Sequence, residues 1–142
     1  MEFKLNDTLG SFDAIVEFRG RSVDIRITNE DESQLESLVT DTLSFLTANF
    51  AELQQEIVDS LHSMCNDHWC DPANGRPQLP KTEFLAKLSL TTIDVEEFED
   101  GGVLERALTL YYDDGRLFGG HAVMVFWPTL PERKSPDASI AG

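Results

Sequence analysis

Apolar and polar residues alternate over residues 12–27, and the alternation gives way to helical spacing from residue 35. Phe12, Ala14, Val16 and Phe18 share one parity, as do Val23, Ile25 and Ile27. Period two with polar residues between is the pattern of half-buried strands. Gly20-Arg21 lies between the two runs, which predicts a hairpin in which Gly20 takes the backbone angle a tight turn needs.

The period then changes. Leu35, Leu38, Val39, Thr42, Leu43 and Leu46 recur at helical spacing, and Phe50, Leu53, Ile57, Leu61 and Met64 form a second stripe. Ser33-x-x-Glu36 and Asn49-x-x-Glu52 have the form of capping boxes. The spacing predicts two helices with a joint near Thr47–Asn49, or one bent helix. The stretch "DPANGRPQLP", residues 71–80, reads as a loop. "KTEFLAKL" reads as a short helix with Phe84, Leu85 and Leu88 turned inward.

Period two returns in the last third. "SLTTIDVEEFED" and "VLERALTLYY" flank Gly101-Gly102, a second hairpin signal. In "HAVMVFW", His121, Val123, Val125 and Trp127 share one face, with Ala122, Met124 and Phe126 on the other. Both faces are apolar, so this strand is expected to be central or covered on both sides. Residues 128–142 hold three prolines (Pro128, Pro131 and Pro136) and predict an extended or partly disordered tail. Strands segregated from helices predict an α+β fold. In it one antiparallel sheet of about five strands, in the order ββ, two or three helices, βββ, packs against the helices. Residues 1–142 are expected to form a single domain.

Charge narrows the function classes. Lys and Arg number 11 against 26 Asp and Glu, a net charge of −15. Such a surface repels phosphate backbones and anionic bilayers, so neither nucleic acid nor a membrane is expected as partner. A basic protein is the partner that the field favours. No apolar run reaches membrane-spanning length, the first residues lack the form of a signal peptide, and two cysteines are too few for a disulfide scaffold. These readings predict a cytoplasmic protein.

Three stretches carry candidate chemistry. "HSMCNDHWC", residues 62–70, gathers His62, Cys65, His68 and Cys70, all of zinc-ligand type. The spacing is cramped for a closed tetrahedral site, which usually draws ligand pairs from two separated elements. Metal binding is therefore not expected, and Cys65 reads as a small core residue. "DDGRLFGGHAV", residues 113–123, joins a turn signal at Asp113-Asp114-Gly115 to Gly119-Gly120-His121 at a strand entrance. His121 is a candidate base or ligand, with Asp113 or Asp114 to orient it. The plainer reading is that His121 begins the core-facing row of the last strand. "DVEEFED", residues 94–100, is either a landing patch for a basic partner or a solvated, aggregation-blocking hairpin tip. No nucleophile elbow and no phosphate-binding glycine loop is present.

"YYDDGRLFGGHAVMV" resembles the signature of an uncharacterised bacterial family, domain of unknown function 2262. In that signature an acidic turn precedes Leu-Phe-Trp-Gly-His and a final strand. "FDAIVEFRGRSVDIRI" resembles the family's opening hairpin. "NDHW" at 66–69 with "KTEFLAKLSLTTI" resembles its Asn-x-x-Trp and following helix and strand, and "DASIAG" its ending. The resemblance implies a motif of Phe118, Gly120 and His121, with Asn66 and Trp69 beside it. Gly119 departs from the pattern, standing where the family has Trp. The lost contact is either absent or supplied by Trp69 or Trp127. The resemblance implies no activity.

Together these readings favour a non-enzymatic acidic binding module without a cofactor, of which one form is an immunity-type protein that neutralises a basic toxin. The alternative is a metal protein or small enzyme centred on His121 or on the His62, Cys65, His68 and Cys70 cluster. Nothing in the sequence fixes an oligomeric state.

Overall fold

The computed structural model of the chain describes residues 1–29 and 31–141. Its centre is one seven-stranded sheet whose spatial order follows the chain. The strands are β1 (Lys4–Asn6), β2 (Ser11–Phe18), β3 (Arg21–Thr28), β4 (Ser89–Asp100), β5 (Val103–Asp113), β6 (Ala122–Leu130) and β7 (Asp137–Ala141). Between β3 and β4 lie the helices α1 (Leu35–Ala48), α2 (Phe50–Ile57) and α3 (Lys81–Lys87). Two wide π-helical turns, Val58–His62 and Cys65–Trp69, prolong α2.

Two features of the sheet correct the expectation of about five antiparallel strands. The sheet is mixed, because β4 runs parallel to β3, with Ile25 opposite Ile93 and Ile27 opposite Val95. A connection that passes through a layer of helices returns the chain to its starting end, so the next strand lies parallel. The sheet also gains a strand at each edge. β1 is only 3 residues long, too short for an alternation to register. β7 lies in the tail expected to be extended or disordered, and its small residues pair Ala138 with Val125 and Ile140 with Val123. The prolines end before this strand starts.

Local chemistry explains the turns. Arg19 and Gly20 both have positive φ, as do Gly101 and Gly102, the signature of two-residue turns that match the twist of a hairpin. The joint between α1 and α2 falls at Asn49, whose side-chain amide donates to the Phe45 carbonyl instead of capping α2. Glu52 pairs with Arg133 and takes no part in a capping box. Asp31, not Ser33, caps the first helical turn, accepting the Ser33 N–H at 3.0 Å.

Inward rows of β2–β6 and the helix stripes form one core that includes Val16, Ile25, Leu46, Leu53, Leu110 and Val125. Trp127, Phe84 and Phe118 are its largest fully buried side chains, each contributing about 2–3 kcal/mol by burial. The helices cover one face of the sheet only. On the other face Ile15 is 70% and Phe126 45% exposed. Of the two alternatives for β6, central or covered on both sides, it is therefore the first that holds: β6 lies between β5 and β7 with one open side.

Candidate functional site

The 113–121 loop is built around one carboxylate. Asp114, 5% exposed, accepts the Arg116 N–H on Oδ1 at 3.0 Å. Its Oδ2 accepts the N–H of Phe118 at 2.9 Å and of Gly120 at 3.0 Å. Three backbone donors on one buried carboxylate fold the loop inward, in the manner of an Asx turn extended over several residues. Asp113, exposed beside it, accepts the Gly115 N–H at 2.8 Å. Both acids are thus occupied in shaping the loop.

Opposite the loop stands the π-helical end of α2. Asn66 holds Leu79 at both ends, accepting its N–H at 3.0 Å and donating to its carbonyl at 3.1 Å. His62 Nε2 lies 2.6 Å from the same carbonyl. Asn66 therefore pins the 71–79 loop to the helix, as a strand partner would. From His62 a chain of edge-to-face rings runs through Phe84, Phe118 and Trp69 to His121, with centroid separations of 5.3, 6.3, 5.8 and 6.0 Å. Such pairs favour this geometry because the positive ring edge meets the negative face.

Phe118 and Gly120 are thus held on Asp114, Trp69 packs against Phe118, Gly119 and His121, and Asn66 lies one helical turn away, engaged with Leu79. Gly119 has φ +67°, and Trp69 Cζ3 stands 3.2 Å from where its Cβ would be. Of the two tryptophans that the resemblance left as substitutes, Trp69 is the one that covers this position, while Trp127 is buried elsewhere against Phe45.

His121 does not begin a core-facing row. It precedes β6, is exposed, and donates its backbone N–H to the Phe118 carbonyl at 3.3 Å. Neither Asp113 nor Asp114 orients its ring. The four zinc-type residues diverge as well. His62 turns to Leu79 and the buried Cys65 to the Leu117 carbonyl at 3.9 Å. Cys70 donates to the Asn66 carbonyl at 2.6 Å, and His68 is exposed. Among the described residues no three His, Cys, Asp or Glu side chains converge as a metal set. Burial and the nearby Cys70 and Asp114 push the Cys65 thiol up, away from the thiolate that nucleophilic chemistry needs.

Sequence reading passed over Arg76, Lys87 and Arg116, which line a cleft beside this loop together with Trp69 and Leu117. Two of the three Gly-Arg dipeptides, Gly75-Arg76 and Gly115-Arg116, place a base at a left-handed turn beside this cleft, while the third, Gly20-Arg21, lies at the first hairpin.

Among the described residues no helix is long and apolar enough to cross a membrane. No curated protein and no solved structure matches the chain. Residues 1–129 match the family described as "uncharacterized protein conserved in bacteria", DUF2262. That span takes in the opening hairpin, the Asn66–Trp69 turn and the whole Asp114 loop, and the chain belongs to this family.

Proposed function

We propose that the protein is a non-enzymatic binding module that engages a basic protein through the open face of its sheet. One observation carries this reading. Among the described residues, the outward Asp13, Glu17, Asp24, Asp94 and Glu96 stand on the face opposite the helices, against only Lys4 and Arg26. Arg26 pairs with Asp13 at 3.3 Å, and Asp94 Oδ1 is buried without a hydrogen-bond partner. A concentration of like charge is costly to the fold and is suited to an oppositely charged surface. The whole chain, at −15, extends the same field. An immunity-type role, neutralising a basic toxin, is the form this charge suits.

The test uses the whole protein as bait in a bacterial lysate, beside the variant Asp24→Lys/Glu96→Lys, which changes two exposed positions. A basic protein is expected to bind the wild type at ~50 mM salt, to be released at ~500 mM, where the Debye length is about 4 Å, and to ignore the variant. Equal capture by the variant, salt-insensitive capture, or no basic protein at all overturns the reading.

A further inference from the structure

We infer that the cleft between the 71–79 loop, the end of α3 and the Asp114 loop binds a small organic anion, a carboxylate or phosphate on a flat apolar body. The cleft measures about 380 Å³ and is lined by Arg76, Lys87 and Arg116 and by no Asp or Glu. In a chain with 26 acids and 11 bases that lining inverts the local balance. The ion pairs among the described residues use Arg26, Arg106, Arg133 and the N-terminus, and none of these three. A second cleft without acids, of about 190 Å³, holds Arg19 and Arg21, but there Arg19 stacks on Phe50 and Arg21 donates to Ser89.

Each cation is placed by its own local device. The Arg76 N–H donates to the Asp71 carbonyl at 2.9 Å, closing a turn through the left-handed Gly75. Lys87 ends α3. Gly115 allows the next turn to press on that end, for a Cβ there would stand 2.4 Å from the Lys87 carbonyl oxygen. This brings Arg116 beside Lys87. Arg116 itself has φ +67°, a conformation that strains any residue with a Cβ and that glycine takes freely. Arg19, the other non-glycine residue at positive φ among the described residues, uses its side chain to stack on Phe50; Arg116 has the cleft for its own.

The ligand class follows from the lining. Planar guanidinium groups hold carboxylate or phosphate through two parallel hydrogen bonds. Trp69, Pro77, Leu79 and Leu117 supply an apolar wall for the rest of the molecule, the mixture typical of small-molecule clefts. None of these residues belongs to the acidic sheet face, so the two readings stand or fall separately.

Calorimetric titration of the whole protein with phenyl phosphate, benzoate and inorganic phosphate tests the inference. Phenyl phosphate or benzoate is expected to bind, whichever is tighter naming the anionic group. Arg116→Gly should weaken it by about tenfold or more without lowering the melting temperature, and Arg76→Gln/Lys87→Gln/Arg116→Gly should abolish it. Three results overturn the inference: no binding of either organic anion below about 10 mM, unchanged affinity in Arg116→Gly, or inorganic phosphate binding as tightly as phenyl phosphate.

Discussion

Trp69 lies over Gly119, its Cζ3 3.2 Å from the point where a Cβ would stand. Gly120, with φ +87°, has nothing within 4 Å of the same point. The two adjacent glycines are therefore required for different reasons. Gly119→Ala meets both the positive φ and the indole and should cost about 2 kcal/mol. Gly120→Ala meets the φ strain alone and should cost about 1 kcal/mol. Urea midpoints of the two variants check the ranking, and equal losses would remove Trp69 from the account.

Asp114 cannot be replaced by its amide. Oδ1 and Oδ2 both accept backbone N–H groups, so either orientation of an Asn side chain would point its NH₂ at a donor. Asp114→Asn should destabilise nearly as much as Asp114→Ala, by about 2–4 kcal/mol. Denaturant unfolding distinguishes this from a loop that needs only polar bulk there, for which Asn would behave like the wild type.

Asn66 works as a clamp on Leu79. Asn66→Ala removes a donor and an acceptor together and should cost about 1–3 kcal/mol. The 71–79 loop should become the first site of limited proteolysis. Asn66→Asp, which retains only the acceptor, should lie between.

The Asp94 carboxyl titrates above the usual carboxylate range, chiefly because burial disfavours its charge. Arg26 opposes the shift, and Glu96 and Asp13 add to it. A raised folded value means that the native state holds the proton more tightly than the unfolded chain. The stabilisation is present below the unfolded value of 3.8 and is lost as pH rises through the folded value. Asp94→Asn should therefore raise the melting temperature at pH 7, and the gain should shrink as pH falls toward 3.8. Thermal melts across that range read it directly. On the proposed function the same change should weaken binding of a basic partner, trading affinity for stability.

His121→Ala tests whether the exposed imidazole matters to the fold. Its only side-chain contact in the ring chain is the edge of Trp69, so the loss should stay under about 1 kcal/mol. A larger drop in the unfolding midpoint would mean the ring anchors the strand entrance after all.

What was legible in the sequence was whatever repeats locally. Period two located β2 to β6, and the stripes of Leu35–Leu46 and Phe50–Leu61 located α1 and α2 with their joint. The edges were not legible. β1 is too short to alternate, and Ala138, Ser139 and Ala141 are small enough that no strand pattern stands out. Sheet direction was missed because β4 runs parallel to β3 by virtue of the end of the sheet to which the helical connection returns, which neither strand's own pattern records. At the site, Asp114 read as part of a turn, but its three donors come from residues up to six positions later, and no single spacing reveals that. Arg76, Lys87 and Arg116 lie too far apart in sequence to register as a group.

The parallel seam between β3 and β4 also sets how the chain must assemble. Every other pair of neighbouring strands is consecutive in sequence and joined by a short connection, so β1–β3 and β4–β7 can each zip from their own turns. The seam joins residues 24–28 to residues 92–96, and closing it means ordering the whole helical segment between. Loop-closure entropy makes such a distant pairing the slow step. The sheet is thus two local meanders joined at one seam, with Ile25 opposite Ile93 buried on it.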